Sequence, residues 1–376
     1  AGRPSTCVQS RIVLAGRPDG PPRLEDFALE EGPIPEPGAG EVLMRTLWLS
    51  LDPYLRGRMG SSASHSSSTA PVPLGGVMEG GTVSQVVSSN DGGLASGDLV
   101  VSAAGWQEYA VAPAASLRRI DARGLPASTA LGVLGMPGLT AYAGLHVIGR
   151  PAAGETVVVA AATGTVGSLV GQLARIAGAR AVGIAGGQRK SAWLRECAIF
   201  DAVVDHRSPD FVERLADATP DGIDVYFENV GGHVWQAVWP RLNRHARVPV
   251  CGIASAYNAS VADVSGDVAG LMSGLVTRSI TLQGFVFRDH EQLRPQFEAD
   301  VGRWVNEGRI AYHEDVVEGL ANAPAAFLGM LAGEHVGKRL VRVAHEATAR
   351  PRRASRGSRS QPPSGHHSGS SRGRPA

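Results

Sequence analysis

The sequence predicts an α/β chain in two parts, a partly barrel-like antiparallel β domain followed by a doubly wound parallel sheet. Two changes of pattern predict it. Up to about residue 134, short extended runs are broken by Gly and Pro; from about residue 153, strand-like runs alternate with helix-like ones. A third observation is the glycine spacing Gly164 and Gly167 at the first strand-to-helix turn of the second part. At 376 residues and 43% apolar content, the chain is long enough to bury two cores.

In the first part the extended runs are "RIVLAG", "GEVLMRTLWLSL", "GGTVSQVVSS", "GDLVVSAA" and "WQEYAVAP", a spacing that favours antiparallel pairing. The run "SSASHSSSTA" at 61–70 reads as a flexible loop. In the second part the order is "ETVVVAA" then "GSLVGQLARIAG", "AVGIAG" then "RKSAWLRECA", "DAVVDH" then "PDFVERLADA", and "DVYFENVG" then "VWQAVWPRLN". "ARVPVCG" and "SITLQGFVF" follow, with a helix through about 307. Such alternation builds a parallel sheet whose ligand sits at the carboxyl ends of the strands. The closing segment "AYHEDVVEGLANAPAAFLGMLAGEHVGKRLVRV" reads as strand, helix and strand, and is assigned back to the first domain. The expected division is a catalytic β domain over 11–134 completed by 310–344, a nucleotide-binding domain over 135–309, and a disordered basic tail over 345–376.

Thirty-six Lys and Arg nearly cancel 35 Asp and Glu, so no global field marks the body as a nucleic-acid or membrane binder. The arginine-rich tail has no aromatic residues for base stacking, which argues against a nucleic-acid role. Cys7, Cys197 and Cys251 lie far apart, pointing to a reducing compartment and away from a structural zinc. No secretion signal opens the chain, and its longest apolar stretch, 156–171, is too short and too interrupted to span a membrane. A cytoplasmic protein is expected.

A dinucleotide loop would read G-x-G-x-x-G, and here the three positions are Ala162, Gly164 and Gly167. The second glycine lets backbone approach a pyrophosphate and the third lets helix and strand pack, whereas the first only eases a turn, a task alanine shares if φ stays negative. A helix starting near Thr165 or Val166 aims free N–H groups at the phosphates, with Ser168 able to donate another bond. The plainer reading is a structural glycine turn. After the next strand, "AVGIAGGQRK" offers no acid for an NAD ribose; Gly186 and Gly187 leave space, and Arg189 and Lys190 place positive charge where a 2′-phosphate lies. NADPH/NADP+ is the expected cofactor. Two solvated charges are the alternative, disfavoured because cations oppose the dipole at a helix start.

The zinc alcohol dehydrogenases carry G-H-E-x-x-G, and the corresponding stretch here resembles "GGVMEGGTV" with Met78 in place of the metal-binding histidine and no cysteine nearby. No metal site is expected. The motifs "LSLDPYLRGRM", "GWQEYAV", "GVLGMPGLTAYAGL", "AAATGTVGSLVGQLA", "YFENVGG", "CGIASAYN" and "LQGFVF" then occur in the order found in the zinc-free, NADPH-dependent double-bond reductases. The chain resembles that family, which includes prostaglandin, 2-alkenal and curcumin reductases, from about Arg11 to Val343. The resemblance implies a GroES-like catalytic domain joined to a Rossmann domain, homodimers, and reduction of an enone or enal by hydride transfer to its β-carbon.

The resemblance also carries residues over. Tyr257 in "SAYN" is the candidate that stabilises the developing oxygen anion, against the reading that it only lines the cleft. Tyr54 in "DPY" matches the substrate-pocket tyrosine, against a barrel-core aromatic. Met136 and Thr140 match residues beside the nicotinamide, against a helix-start packing role. Asn229, and the segment Cys251, Gly252, Ser255 and Tyr257, match cofactor-contacting segments, with Cys251 read as a strand residue rather than a nucleophile. Phe285 matches a position near the nicotinamide, against a core phenylalanine. His206 stands where the family often has tyrosine, His335 where it commonly has asparagine, and Ile199 where a glycine is typical, so the turn at Ile199 is expected to be rearranged. A quinone reductase is the near rival, and a non-catalytic NADPH-binding protein the rival from another class.

Overall fold

In the computed structural model, residues 8–60, 70–121, 124–257 and 268–346 are described. β1 (Val8–Leu14) pairs with β2 (Phe27–Pro33), from Val8 opposite Pro33 to Leu14 opposite Phe27. β2 is absent from the sequence expectation; its run "FALEEGP" alternates inward and outward but is half acidic at its centre. β3 (Glu41–Ser50) is the spine of the larger antiparallel sheet. A single-turn helix α1 (Leu55–Arg58) follows, then β4 (Thr82–Ser89), β5 (Leu99–Ser102), β6 (Tyr109–Pro113) and the short β7 (Arg118–Arg119). β3 pairs with both β4 and β6, β4 with β5, and β5 with β7.

Alternation along β3 buries Val42 and Met44, and a register shift between Thr46 and Trp48 moves the phase so that Leu47 and Leu49 turn inward next. Beneath the small sheet, Trp106 stacks on Phe27 at 5.6 Å and meets Phe327 edge-on at 5.7 Å.

Helix α2 (Met136–Ala143) leads into the second part, built on β8 (Thr156–Val159), α3 (Thr165–Ile176), β9 (Arg180–Ala185) and α4 (Gln188–Glu196). It continues with β10 (Ala202–Asp205), α5 (Phe211–Ala218), β11 (Ile223–Phe227), α6 (Gly232–Val238) and β12 (Leu242–Val250), then α7 (Val268–Arg278) and β13 (Thr281–Gly284). These strands form a six-stranded parallel sheet in the order β10-β9-β8-β11-β12-β13. The direction of winding reverses between β8 and β11, which places a ligand crevice outside their carboxyl ends. All four residues of β8 are buried, as a central parallel strand covered on both faces requires.

After α8 (Arg294–Asn306), the chain forms β14 (Glu314–Glu318), α9 (Ala323–Leu331) and β15 (Lys338–Arg342). β15 pairs with β14 and runs antiparallel to β3, so the last strand joins the first large sheet. Cys7, the serine-rich 61–69 and the tail from 347 lie outside the described residues. Among the described residues, no helix is long and apolar enough to cross a membrane.

Candidate active site

The turn from β8 into α3 is shaped by two contacts that leave no room for side chains. A Cβ on Gly167 would lie 2.5 Å from the Ala161 carbonyl oxygen and 2.9 Å from Ala162 Cα, so helix and strand meet there through bare backbone. At Gly164 a Cβ would meet only that same carbonyl, at 3.4 Å, so the space above Gly164 is open from outside the protein. Helix α3 begins at Thr165, leaving the N–H groups of Thr165, Val166 and Gly167 without helical acceptors. This is a cradle that fits a pyrophosphate.

Ala162 is fully buried and keeps a negative φ, but its neighbour Ala161 takes φ 51°, so the turn does place a residue in the left-handed region, one position earlier than the missing glycine. The Ser168 hydroxyl donates to the Thr165 carbonyl at 3.4 Å, and the residue is buried where Thr165, Glu314 and Lys338 come together. Asn229, at the end of β11, donates from Nδ2 to the Ala160 carbonyl at 2.8 Å and so braces the base of the same loop.

At the end of β9, Gly187 has φ 93° and caps α4. The region beyond it is a cleft of about 830 Å³, lined by Arg189, Lys190, Arg207 and Arg339 together with Asp315 and Glu334. Arg339 is paired with Asp315 at 2.7 Å, and Arg189 donates to the Glu334 carbonyl. Burial, then the charges of Arg207 and Arg189, push the Lys190 ammonium below its ordinary range. Lys190 is held close to Arg189 and Arg207 in a half-buried setting, where a bound dianion offsets their repulsion; the pocket fits a 2′-phosphate. Sequence reasoning missed Arg207 and Arg339, which reach the pocket from β10 and β15. It also missed Asp205, whose carboxylate accepts the N–H groups of Gly187 at 2.8 Å and Arg207 at 2.9 Å and thereby shapes the turn.

His206 follows β10; a Cβ on Gly186 would lie 2.7 Å from its Nε2. Its Nδ1 is 2.9 Å from Nε2 of His233, a partner no sequence signal announced. Burial first, then His233 and Arg207, hold His206 below its ordinary range. His335 is pushed down to about 4 by burial and by Lys190, Arg339 and Lys338, and its Nδ1 is buried without a partner. At the turn before Ile199, Ala198 carries φ 49°, and Ile199 itself is buried in the core.

On the other side of the crevice, Tyr257 follows β12 and lies at the carboxyl edge of the sheet, its hydroxyl oxygen 3.0 Å from where a Gly252 Cβ would stand. Burial, then the neighbouring Cys251, raise its hydroxyl to about 12. Burial and Glu228 likewise raise the Cys251 thiol to about 12, so Cys251 is a neutral thiol at neutral pH rather than a nucleophile. The Ser255 hydroxyl donates to the Val230 carbonyl at 2.6 Å and packs under Gly231 and Gly232, joining this segment to the loop after β11.

At the start of α2, the Thr140 hydroxyl donates to the Met136 carbonyl at 2.8 Å, the packing role weighed against cofactor contact. Phe285 is half-buried at the edge of the core, edge-on to Phe227 at 6.1 Å and with its tip 2.5 Å from a Cβ position on Gly144. Tyr54 caps α1. It is 36% exposed, yet its hydroxyl is desolvated and raised, by burial first and then by Asp52 and Glu79, while Arg288 and Arg58 oppose the shift. Arg288 belongs to the segment after β13, so Tyr54 faces the second part of the chain. Met78 is completely buried, and among the described residues no group of three or more His, Cys, Asp or Glu is placed to hold a metal.

Two family models match the chain, one described as the N-terminal domain of oxidoreductase over residues 10–120 and one as zinc-binding dehydrogenase over residues 165–304. An Escherichia coli (strain K12) protein named NADPH-dependent curcumin reductase is 49% identical over 336 residues, covering 89% of this chain and 96% of that protein. The chain belongs to the NADPH-dependent double-bond reductase branch of the medium-chain dehydrogenases/reductases. A second member of the branch, the NADP(+)-dependent 2-alkenal reductase of Nicotiana tabacum, is 38% identical over 89% of this chain and 98% of its own length. Among solved structures, CurA of Vibrio vulnificus in complex with NADPH superposes with a TM-score of 0.85 at 45% identity, covering 89% of this chain and 99% of that one. The branch therefore accounts for both sheets.

Proposed function

We infer that the chain reduces the C=C bond of α,β-unsaturated ketones and aldehydes with NADPH. The observation that carries this reading is the 49% identity, over nearly the whole of both chains, to a protein named for that cofactor and for an enone substrate. The four-cation cleft beside a glycine phosphate loop supports it independently. NADPH, when bound, supplies the hydride that reaches the β-carbon.

The chain's own residues bind, orient and hold protons. Gly164, Thr165, Val166 and Gly167 present backbone to the pyrophosphate. Arg189 and Lys190, with Arg207 and Arg339, neutralise the 2′-phosphate, and His206 and His335 border the adenosine end. Met136, Thr140, Asn229, Cys251, Gly252, Ser255 and Phe285 line the remaining length. Tyr257 carries its proton on Oη at neutral pH, as any tyrosine does, and burial moves the hydroxyl further from ionising, so it donates a hydrogen bond to the substrate oxygen as charge develops there. Tyr54, facing Arg288, bounds the enone. The catalytic β domain is then 11–134 completed by 310–344 and the cofactor domain 135–309, with Tyr257 reaching the substrate from the second and His335 and Arg339 reaching the cofactor from the first.

We further place the enzyme in the cytoplasm as a homodimer. β13 is an edge strand exposed along its length, and Val268, Met272, Val276 and Val286 leave apolar surface around it. A screen of NADPH consumption over alkenals, long-chain enones, diarylheptanoid enones and quinones, with a metal chelator present, tests the function. Turnover on enones is expected. Turnover on quinones alone moves the chain to the quinone reductases, and loss of activity to the chelator contradicts the metal-free reading.

A further inference from the structure

We propose that Lys338 is a positioning residue that ties the placement of Tyr54 to the phosphate loop, so that cofactor binding and enone binding reinforce one another. The proposal rests on the reading of Tyr54 as a substrate-pocket residue.

The connection is short and buried. Gly337 donates its N–H to the Thr163 carbonyl at 2.9 Å and forms a parallel bridge with Gly164, in the middle of the phosphate loop. Gly337 has φ 71°, and a Cβ there would lie 2.2 Å from the His313 carbonyl oxygen, so no other residue can make this approach. The next residue, Lys338, opens β15 and is 4% exposed; its ammonium reaches the chain leaving the neighbouring strand β3, donating to the Leu51 carbonyl at 3.0 Å and to Asp52 Oδ1 at 2.5 Å. Asp52 is 6% exposed, and its second carboxylate oxygen accepts the Ser50 hydroxyl. The Asp52 carbonyl accepts the Leu55 N–H at 3.1 Å, which opens the turn that presents Tyr54.

Holding β15 to β3 does not require this ion pair. The ladder from Leu340 opposite Ser50 to Arg342 opposite Trp48 does that, extended by the Leu51 N–H to the Arg339 carbonyl at 3.2 Å. A buried ion pair adds little over well-packed apolar side chains, because desolvation offsets the attraction. What it adds here is direction, since a two-acceptor ammonium fixes Leu51 and Asp52 relative to Gly337 and therefore to Thr163. Ordering of the phosphate loop by the cofactor restricts Gly337, Lys338 and the Asp52 turn in sequence, and the same coupling operates in reverse from the enone.

The test is enone affinity measured calorimetrically with and without NADP+, which binds the loop but donates no hydride. In the unmodified chain, NADP+ should tighten enone binding by about tenfold. In Asp52→Asn/Lys338→Met, which removes both charges of the pair together, the tightening should fall below about twofold while NADP+ affinity stays within about threefold. Full tightening in the double variant, or none in the unmodified chain, would overturn the proposal. If the double variant does not fold, hydrogen exchange on the unmodified chain decides: added NADP+ should slow the Leu51 and Leu55 amides, and protection confined to the phosphate loop would overturn it. Tyr54→Phe separates the two possible failures. Unchanged enone affinity there removes the substrate-pocket reading and the proposal with it. Weakened affinity there, with full coupling in the double variant, overturns only the role of Lys338.

Discussion

At the phosphate loop, the residues that form the cradle fall within one short run, 160–167, whereas the basic cleft takes Arg189 and Lys190 from α4, Arg207 from the turn after β10 and Arg339 from β15. The first is local backbone geometry, decided by which residues lack a Cβ. The second is long-range electrostatics, assembled by strand order. One fails through steric clash and the other through lost charge, so substitutions in the two regions should behave differently.

The largest effect is expected where backbone meets backbone. Gly167→Ala puts a methyl 2.5 Å from the Ala161 carbonyl. It should destabilise the fold by roughly 1–3 kcal/mol, as overpacking does, and remove most NADPH affinity, read by thermal melting and by NADPH fluorescence titration. A variant with unchanged melting and unchanged titration would show that the loop has slack the geometry denies.

In the cleft the loss should be in affinity alone. Arg207→Ala should raise KM for NADPH by about tenfold, the scale of one charge-assisted hydrogen bond, with KM for NADH and the melting temperature nearly unchanged. Equal losses with both cofactors would place the 2′-phosphate elsewhere.

A third prediction concerns acid. His335 titrates at about 4 in the folded chain against an ordinary value of 6.5, so between those values the unfolded chain binds more protons. The stability associated with a neutral His335 is present above 6.5 and is lost as pH falls from 6.5 toward 4. His335→Asn should therefore lose less melting temperature than the unmodified chain between pH 7 and pH 5; an identical loss would mean that His335 is solvated. The smallest effect belongs to Ser168→Ala, which removes one bond to Thr165 and should cost under about 1 kcal/mol without changing KM for NADPH.

The contrast between the regions also explains what was legible in the sequence. Strand and helix periodicity, and the Gly164 and Gly167 spacing, report local geometry, and the parallel sheet and its phosphate loop follow from them. Arg207 and Arg339 carry no such signature, because nothing in "DHRSPD" or "GKRLVR" says that the end of β10 and the start of β15 both lie beside α4. The His233 partner of His206 and the shift of strain from Ala162 to Ala161 are likewise tertiary facts. The bond that the Ser168 hydroxyl makes to the Thr165 carbonyl is a further detail that its position in α3 does not announce. The tyrosines were found through family motifs, and only the structure gives Tyr257 its desolvated hydroxyl.

Hydride delivery to carbon β of an enone leaves its mark on the product. When an enone is reduced with NADPH deuterated at the transferring C4 position, NMR should show a saturated ketone with deuterium on the β-carbon. Deuterium on the carbonyl carbon of an alcohol, or no turnover with any enone, would rule that delivery out.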